Sequence, residues 1–561
     1  MKKQWQKKLT LVMAILMCMT IALTGCGTPN TTSPEVTDSA GASTSAAPAE
    51  TTNTGSVEKD GVLTWGLMSD IVSLDPIYAY DTTTNTVVNN ITESLLLIDE
   101  NSQLQPQLVS SWKAVDAKTY VYQIRNDVTF SDGTSMTIDD VLFSLNRHIG
   151  SDSYVGWMYS NVAALEKTGE WELTVKLAQP DALWKYTFAT TAGHIISKAY
   201  FEAHKDDFGT ATGGVMGTGA YKLDHWSNGS EIVLTANENY WNGGFTFDFN
   251  KIVFSIVVED TTRLTAVHSG QIDFILDVPV SMLDQVPDDN TALKMVDSFG
   301  IDFLSFNTEK APFNDVYVRQ AIAYAIDATS IVDNIIGEAG AYSSGLTFGP
   351  SLYSAPGSVE DWSAFAKTLE YYTFNMDKAK EALSKSTVPD GFDCTLQVSE
   401  MLSFNAIATY IQATLTELGI NVTIEKHTTD EMITMQFGGN LTDGVKNYDM
   451  GLFTWYSDFP DASGNPYPNF LGSNAGEGGS NTSSYQNADL DKLLVAQSAS
   501  LDDTERVALL KQASQMLIDE VPVYILDYCK IGVAQSKSIS DYNINASWIW
   551  NLYAKNFTYI K

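Results

Sequence analysis

Three short motifs in the chain contain the residue types of a nucleophilic serine site. Ser110-Ser111-Trp112-Lys113 places a hydroxyl three residues before an amine, and Ser144-Leu145-Asn146 and Lys167-Thr168-Gly169 follow it. If Ser110 began a helix, the Lys113 amine one turn later could take the serine proton, and the serine oxygen could then attack a carbonyl carbon. The same chemistry requires the Lys-Thr-Gly motif to lie on a strand that faces the serine.

The elements predicted around these motifs do not arrange them for that reaction. Ser110 leads into an alternating pattern typical of a strand, so it does not begin a helix. The Lys-Thr-Gly motif is predicted to form the turn before a strand at Trp171, and motifs of three residues recur by chance in a long chain. The trio resembles that of the penicillin-recognising serine enzymes, and we retain a hydrolase that uses Ser110 as a remote alternative.

Other catalytic and metal motifs are missing from the sequence. It contains no His-Glu-x-x-His, no Gly-x-Ser-x-Gly, no phosphate loop and no cysteine pair at zinc spacing. Gly217-Thr218-Gly219 is too short for a dinucleotide fingerprint. We therefore predict no enzyme activity, no catalytic residue, no metal and no cofactor. Whether Cys394 and Cys529 pair with each other stays open at this point.

Length and charge restrict the remaining function classes. The chain has 561 residues, and its 33 Lys and Arg against 68 Asp and Glu give a formal net charge of −35. Because this charge repels a polyanion, the sequence predicts no nucleic-acid partner. Hydrophobic residues make up 44% and charged residues 18%, a globular balance, and the length predicts more than one domain.

The amino-terminal segment is typical of an export signal. Four lysines precede an apolar run over residues 9–23, which is shorter than the roughly 20 residues of a membrane span. The run ends in Leu23-Thr24-Gly25-Cys26, which resembles the bacterial lipoprotein box. We predict a signal peptide over residues 1–25 and lipidation of Cys26. Residues 26–56, poor in large apolar side chains, are predicted to be a disordered Ser/Thr-rich tether to the membrane.

The body of the chain alternates predicted strands and helices, which indicates a mixed α/β protein with more than one core. Thr137 and Asp140 form a capping-box pattern, and Asp260 is predicted to cap a later helix. Asn228-Gly229 predicts a hairpin between two strands.

Several segments, in order, resemble the bacterial extracellular solute-binding proteins of family 5, the oligopeptide- and dipeptide-binding receptors of ABC importers. They cover nearly everything after residue 57. They include Ser73-Leu74-Asp75-Pro76, Arg125-Asn126-Asp127-Val128-Thr129-Phe130-Ser131-Asp132-Gly133, Gly217-Thr218-Gly219-Ala220-Tyr221, Asn239-Tyr240-Trp241, Gly270-Gln271-Ile272-Asp273, Phe306-Asn307-Thr308, Val318-Arg319-Gln320-Ala321 and Trp455-Tyr456-Ser457-Asp458.

The resemblance implies a two-lobed, periplasmic-binding-protein-like (type II) α/β fold with a hinged cleft and an extra subdomain in the first lobe. We assign lobe I to residues 57–88, 212–298 and 530–561, its subdomain to 89–211, and lobe II to 299–529. The crossings between the lobes are expected near Phe299–Phe303 and Tyr524–Cys529. Closure over a ligand follows if the ligand binds the closed form better than the open one.

The resemblance also implies a function and a site. The protein is expected to capture oligopeptides at the extracellular face of the cell membrane and to deliver them, as a monomer, to an ABC permease. By family position, Tyr80-Asp81-Thr82 and Thr454-Trp455-Tyr456 present edges to the peptide backbone. Asp458 would pair with the peptide α-ammonium. By residue type alone, the sequence favours a turn residue at Asp458, whereas Trp455 and Tyr456 are equally core aromatics.

The sequence departs from the dipeptide-binding members at the other end of the ligand. Those members clamp the peptide carboxylate with an arginine, but none of the five arginines lies in the second-lobe stretch that leads up to Asp458. Lys426, His427 and Lys446 are the remaining candidates for this role. The departure favours longer peptides, and the same fold with a metal chelate or an oligosaccharide as ligand stays an alternative.

Overall fold

The computed structural model describes residues 61–560, apart from residues 151, 439, 440, 443, 444 and 541–543. The predicted signal peptide 1–25, Cys26 and the tether 26–56 lie outside the described residues. No helix within the described ranges is long and apolar enough to cross a bilayer.

Strands and helices alternate along the described chain. The strands are β1 Val62–Leu67, β2 Glu93–Ser94, β3 Leu96–Ile98, β4 Leu104–Pro106, β5 Val109–Asp116, β6 Thr119–Ile124, β7 Val162–Gly169, β8 Glu172–Leu177, β9 His194–Ile195, β10 Tyr221–Ser227, β11 Glu231–Ala236, β12 Lys251–Ile256, β13 Phe274–Val278, β14 Thr291–Phe306, β15 Gly340–Tyr342, β16 Phe392–Ser399, β17 Ile420–His427, β18 Leu441–Thr442, β19 Val445–Lys446, β20 Met450–Tyr456 and β21 Val523–Ser536. The α-helices are Thr82–Ile91, Ile138–Asn146, Trp184–Thr187, Lys198–Ala203, Asp260–His268, Val316–Ala325, Ala328–Ile331, Val359–Ala366, Met376–Ser384, Leu402–Thr416, Thr429–Gln436, Pro466–Phe470, Ala488–Ala499, Asp503–Glu520 and Trp548–Asn551.

One large mixed sheet organises the molecule. Its strand order is β10-β11-β12-β1-β13-β21-β14-β20-β16-β17, and β15 adds to β21. β1 pairs with β12 in parallel, whereas β14 pairs antiparallel with both β20 and β21. Apolar side chains cover the sheet in separate clusters, one around Trp65 and Phe274 and another around Leu396 and Met450.

The two longest strands lie side by side at the centre of this sheet. β14 and β21 pair from Thr291 opposite Ser536 to Ser305 opposite Val523, with register shifts on the way. β13 flanks the pair on one side and β20 on the other. The crossings expected near Phe299–Phe303 and Tyr524–Cys529 fall within these two strands, while the lobe boundaries stay a prediction.

A second sheet, β5-β6-β8-β7, forms the centre of the segment predicted as the subdomain. Its core contains Tyr120, Tyr122, Leu173 and Val175, all buried. The helix Ile138–Asn146 follows β6 in the chain, and its capping box joins Thr137 and Asp140 as predicted.

Most predicted local structure is confirmed, and two details are wrong. The hairpin of β10 and β11 turns at Gly229, whose φ of 73° lies in the left-handed region that glycine favours. The helix Asp260–His268 is capped by Glu259, not by Asp260, because the Glu259 carboxylate accepts the Thr261 and Thr262 amide hydrogens. Lys167-Thr168-Gly169 ends β7 and is not the turn, because β7 and β8 pair up to Gly169 opposite Glu172.

Candidate ligand-binding cleft

A large cavity among the described residues has a volume of about 800 Å³. Such a volume is typical of a small-molecule or peptide site. Aromatic and small polar side chains line it, and they come from chain segments that are far apart in sequence. The lining includes Tyr80, Tyr154, Trp157, Asn161, Asp181, Trp184, Phe437, Trp455, Asp458, Phe459, Tyr467 and Ser480.

Two of the predicted site residues meet in the lining of this cavity. Tyr80 comes just before the helix Thr82–Ile91, and Asp458 comes just after β20. The Tyr80 hydroxyl donates a hydrogen bond of 3.0 Å to Asp458 Oδ1, although 378 positions separate the two residues in the sequence. The carbonyl of Asp458 accepts a 2.7 Å hydrogen bond from the Trp550 indole, which fixes the backbone at this point.

Asp458 is placed to interact with a cation. Its Oδ2 receives no hydrogen bond from any described residue, and no described lysine, arginine or histidine forms an ion pair with it. Loss of water inside the cleft raises the pKa of Asp458 to about 6, although the hydrogen bond from Tyr80 acts in the opposite direction. A ligand ammonium would hold this carboxylate in its charged form through a charge-assisted hydrogen bond.

The strand before Asp458 has one open edge. β14 pairs with the whole of β20, but β16 pairs only with Met450 and Gly451. The remaining edge, residues 452–456, is free of a strand partner in the described chain. Gln436 covers part of it, because its side-chain amide donates to the Thr454 carbonyl at 3.0 Å. The rest of the edge has the geometry needed for backbone hydrogen bonds to an extended ligand.

The structure separates the roles of the other predicted residues. Trp455 packs on an apolar cluster and also lines the large cavity, and its indole nitrogen has no hydrogen-bond partner among the described residues. Tyr456, 49% exposed, and Thr82 line a second, smaller chamber. The Asp81 carboxylate caps the helix Thr82–Ile91 by accepting the Thr84 amide hydrogen, and the Thr454 hydroxyl donates to Asp302.

The smaller chamber has a volume of about 250 Å³ and shares Tyr80 and Asp458 with the large cavity. Asp277 is a further carboxylate in its lining. The remaining walls are mostly apolar and are formed by Phe299, Ile531, Ala546, Trp548, Ile549 and Trp550.

Sequence reasoning missed the contribution of residues 154–187 to the large cavity. Tyr154, Trp157 and Trp184 come from this stretch, together with Asp181, whose pKa is raised by burial. Their sequence neighbourhood carries no ligand motif, and only the tertiary structure brings them to the cleft. The Ala182 amide donates to the carbonyl of Ser498, another lining residue, at 2.7 Å.

A buried ion pair supports the loop after Asp458. The two guanidinium nitrogens of Arg506 donate to the two carboxylate oxygens of Asp461, each at 2.9 Å, and both side chains are almost completely buried. Burial alone would raise the pKa of Asp461, but the Arg506 charge and hydrogen bonds lower it overall. Asp461 also accepts the Ser463 amide hydrogen, which shapes the turn at Gly464 in the cavity wall.

None of the candidate carboxylate clamps lines either cavity. Lys446 is buried and donates to the Gln436 carbonyl, and burial lowers its pKa to about 8. His427 contacts Gln397 at 2.6 Å, and Lys426 is exposed. The described residues that line the two cavities include no lysine, arginine or histidine.

The serine motifs do not assemble into a catalytic site. Ser110 lies on β5 and its hydroxyl donates to the Gln123 carbonyl, so Lys113 is about 10 Å further along an extended strand. Ser144 is buried and donates to the Asp140 carbonyl. β5 and β7 are opposite edges of their sheet, which separates Ser110 from Lys167 by about 14 Å of strand spacing.

One buried group of side chains could hold a metal ion by residue type. Potential ligand atoms of Asp302, Asp527 and Cys529 lie within 4.8 Å of one another. Burial raises the pKa of all three groups, which favours protonated side chains over a charged ligand set. Cys529 and Cys394 are both buried free thiols, so they do not pair.

Comparison with known proteins agrees with this geometry. Residues 103–477 match the family described as bacterial extracellular solute-binding proteins, family 5 Middle. The probable D,D-dipeptide-binding periplasmic protein DdpA of Escherichia coli is 26% identical over 501 residues, which cover 87% of this chain and 92% of DdpA.

Two solved structures show the same two-lobed fold. The DppA protein of Helicobacter pylori in complex with the peptide STSA superposes with a TM-score of 0.72 at 21% identity, over 89% of this chain and 98% of DppA. The oligopeptide-binding protein AppA of Bacillus subtilis in complex with a nonapeptide has a TM-score of 0.68 at 22% identity, over 89% of this chain and 99% of AppA.

Proposed function

Because this chain belongs to family 5 of the bacterial extracellular solute-binding proteins, we propose that it captures oligopeptides in the cleft between its lobes and releases them unchanged to an ABC permease. Two proteins of similar structure, DppA of Helicobacter pylori and AppA of Bacillus subtilis, were solved in complex with peptides. The observation that carries the proposal is the carboxylate of Asp458, which faces an aromatic-lined cavity of about 800 Å³ and has no cationic partner there.

The peptide α-ammonium is the group that we place at Asp458. It would donate to the free Oδ2, while Tyr80 continues to donate to Oδ1. The peptide backbone would then follow the open edge of β20, where Thr454-Trp455-Tyr456 provides carbonyl and amide groups. On the other side of the cleft, the backbone of Tyr80-Asp81-Thr82, at the start of the helix Thr82–Ile91, would lie along the peptide.

The ligand that fits best is longer than a dipeptide. A dipeptide receptor needs a cation near Asp458 to hold the nearby carboxylate, and no described residue that lines the cavities provides one. A longer peptide puts its carboxylate away from the three cleft carboxylates, Asp181, Asp277 and Asp458, and so avoids their repulsion. For the same reason, an acidic solute fits this cleft poorly.

The setting of the protein is part of the proposal. Lipidation at Cys26 would anchor it at the extracellular face of the membrane, and residues 26–56 would give the body about 30 Å of reach towards a permease. We assign no catalytic step to the cleft. A metal chelate or an oligosaccharide remains the alternative ligand within the same family.

Ligand identification and titration test the proposal together. Mass spectrometry of the purified protein should find peptides, and calorimetric titration should show that acetylation of a peptide amino terminus weakens binding more than tenfold, because a buried carboxylate loses its partner. Asp458→Asn should remove this difference between free and acetylated peptides. Copurified chelates or sugars, or equal binding of both peptide forms to the unchanged protein, would contradict the assignment.

A further inference from the structure

The smaller chamber carries more negative charge than one ligand ammonium would balance. Both Asp277 and Asp458 line its volume of about 250 Å³, and no cationic side chain does so among the described residues. One α-ammonium at Asp458 would leave Asp277 without a countercharge. Two carboxylates that share one small chamber repel each other, so the chamber suits a ligand with a second cation.

The backbone turns Asp277 towards the chamber. β13 pairs with β21 at Ile275 and at Val278, and the register shifts between these two positions. Within this irregularity Asp277 has a φ of 57°, and it is the one exposed residue of an otherwise buried strand. A bulge of this kind redirects a side chain away from the regular alternation of a strand.

Asp277 has no partner within the described chain. No described residue gives it a hydrogen bond or an ion pair, and its crowded surroundings raise the pKa of its carboxyl group. Arg263 is a nearby cation and lowers that pKa in part. However, Arg263 is already bonded to Asp260 and to the carbonyl groups of Val257 and Val258.

Two further carboxyl groups, Asp302 and Asp527, lie opposite each other on β14 and β21. Burial raises the pKa of both groups, which favours their protonated forms, so they do not add to the charge of the chamber. The carboxylates that line the chamber are therefore Asp277 and Asp458, and no cation lines it among the described residues.

The walls of the chamber fit the remainder of a basic side chain. Lysine and arginine carry an apolar stem and a charged end, and they bury the stem along apolar surface while the charge seeks a polar partner. Here Trp548, Ile549 and Ile531 provide apolar walls, and Asp277 provides the carboxylate. Asp458 borders both cavities, so a ligand held there by its α-ammonium can extend its backbone into one and its first side chain into the other.

We propose that the smaller chamber is a subsite for a basic first residue, with the lysine ammonium or arginine guanidinium of the ligand paired to Asp277. The inference rests on the proposed function, because it takes the α-ammonium to lie at Asp458. It narrows the ligands to peptides that begin with a cationic residue. The net charge of −35 would also attract such ligands to the protein surface.

Matched peptides test this subsite. Calorimetric titration would compare Lys-Ala-Ala-Ala with norleucine-Ala-Ala-Ala, which has a similar stem but no side-chain charge. We expect the lysine peptide to bind at least tenfold more tightly, and Asp277→Asn to reduce the ratio of the two dissociation constants to about one. Asparagine also tolerates the left-handed backbone conformation, so the variant should keep its fold. Asp284→Asn, which removes an exposed carboxylate outside both cavities, should leave the ratio unchanged.

The alternatives give different results. Equal binding of the two peptides to the unchanged protein would overturn the subsite while leaving the proposed function intact. Binding of neither peptide, nor of their arginine counterpart, would overturn the proposed function as well. Pentane-1,5-diamine carries two ammonium groups without a peptide backbone, and binding as tight as that of the lysine peptide would identify a polyamine site and refute a peptide subsite. A preference that survives in Asp277→Asn would also refute the inference.

Discussion

Asp458→Asn should stabilise the ligand-free protein while it removes the proposed ammonium site. The carboxyl pKa is raised from 3.8 to about 6, which means that the folded state favours the protonated form over the charged form. At 1.36 kcal/mol for each pKa unit, keeping Asp458 charged costs the folded state up to about 3 kcal/mol. Asparagine has no charge to desolvate, and its Oδ1 can still accept the Tyr80 hydrogen bond.

The pH dependence follows from the sign of this shift. Below the unfolded pKa of 3.8, Asp458 is protonated in both states and the two proteins should be equally stable. As the pH rises from 3.8 to about 6, the unfolded state releases this proton while the folded state keeps it. The unchanged protein therefore loses stability relative to Asp458→Asn over this range, and the difference is complete above about pH 6. The stability advantage of Asp458→Asn should therefore be present at pH 7.5 and should nearly vanish at pH 4.

Urea unfolding of the peptide-free proteins, followed by tryptophan fluorescence, would measure the difference in stability between Asp458→Asn and the unchanged protein. Asp284→Asn is the control for the loss of one exposed negative charge. We expect the variant to unfold at higher urea concentration at pH 7.5, and the control to unfold with the unchanged protein. The electrostatic reasoning fails if Asp458→Asn is no more stable at pH 7.5, or if its advantage persists undiminished at pH 4.

Three further predictions follow from the same contacts. Peptide affinity should fall about tenfold between pH 7 and pH 5, because only about one tenth of the Asp458 carboxyl groups, with a pKa near 6, are ionised at pH 5. Calorimetry that finds no loss of affinity would contradict the role of Asp458. Arg506→Met should lower the free energy of unfolding by about 3–5 kcal/mol, because Asp461 would remain buried without its partner. In the same denaturation experiments, the double variant Arg506→Met with Asp461→Asn should recover part of this loss. Gly217→Ala should lower the melting temperature, because the added Cβ would lie 2.3 Å from the carbonyl oxygen of Ile91. Gly229→Ala is the control: its Cβ would have no atom within 4 Å, so this variant tests the effect of backbone conformation alone.

Local patterns in the sequence were sufficient for much of the secondary structure. The alternation of strand and helix patterns was sufficient to predict a mixed α/β protein, because burial of one face imposes the period of each element. The capping box at Thr137 and the glycine turn at Gly229 are equally local, since their hydrogen bonds and backbone angles join near neighbours. The end of β7 was mispredicted because strand pairing with β8 outweighs the turn preference of Thr168-Gly169.

Part of the candidate site could likewise be predicted from the sequence, and part could not. By its motifs, the sequence alone determines the family and, by position, singles out Tyr80 and Asp458. It could not predict that Asp181 and Trp184 line the same cavity, that Lys446 is turned away into the interior, or that Cys394 and Cys529 remain apart. These facts depend on which strands are neighbours and in which register.

The clearest example is Asp277. In the sequence it is one carboxylate within a strand pattern, and nothing near it indicates a ligand. In the folded chain, a register shift between β13 and β21 directs its side chain into a chamber shared with Asp458. Composition and periodicity determine which surfaces a chain must bury, but the position of a single side chain depends on contacts between segments hundreds of residues apart, and only the tertiary structure specifies those contacts.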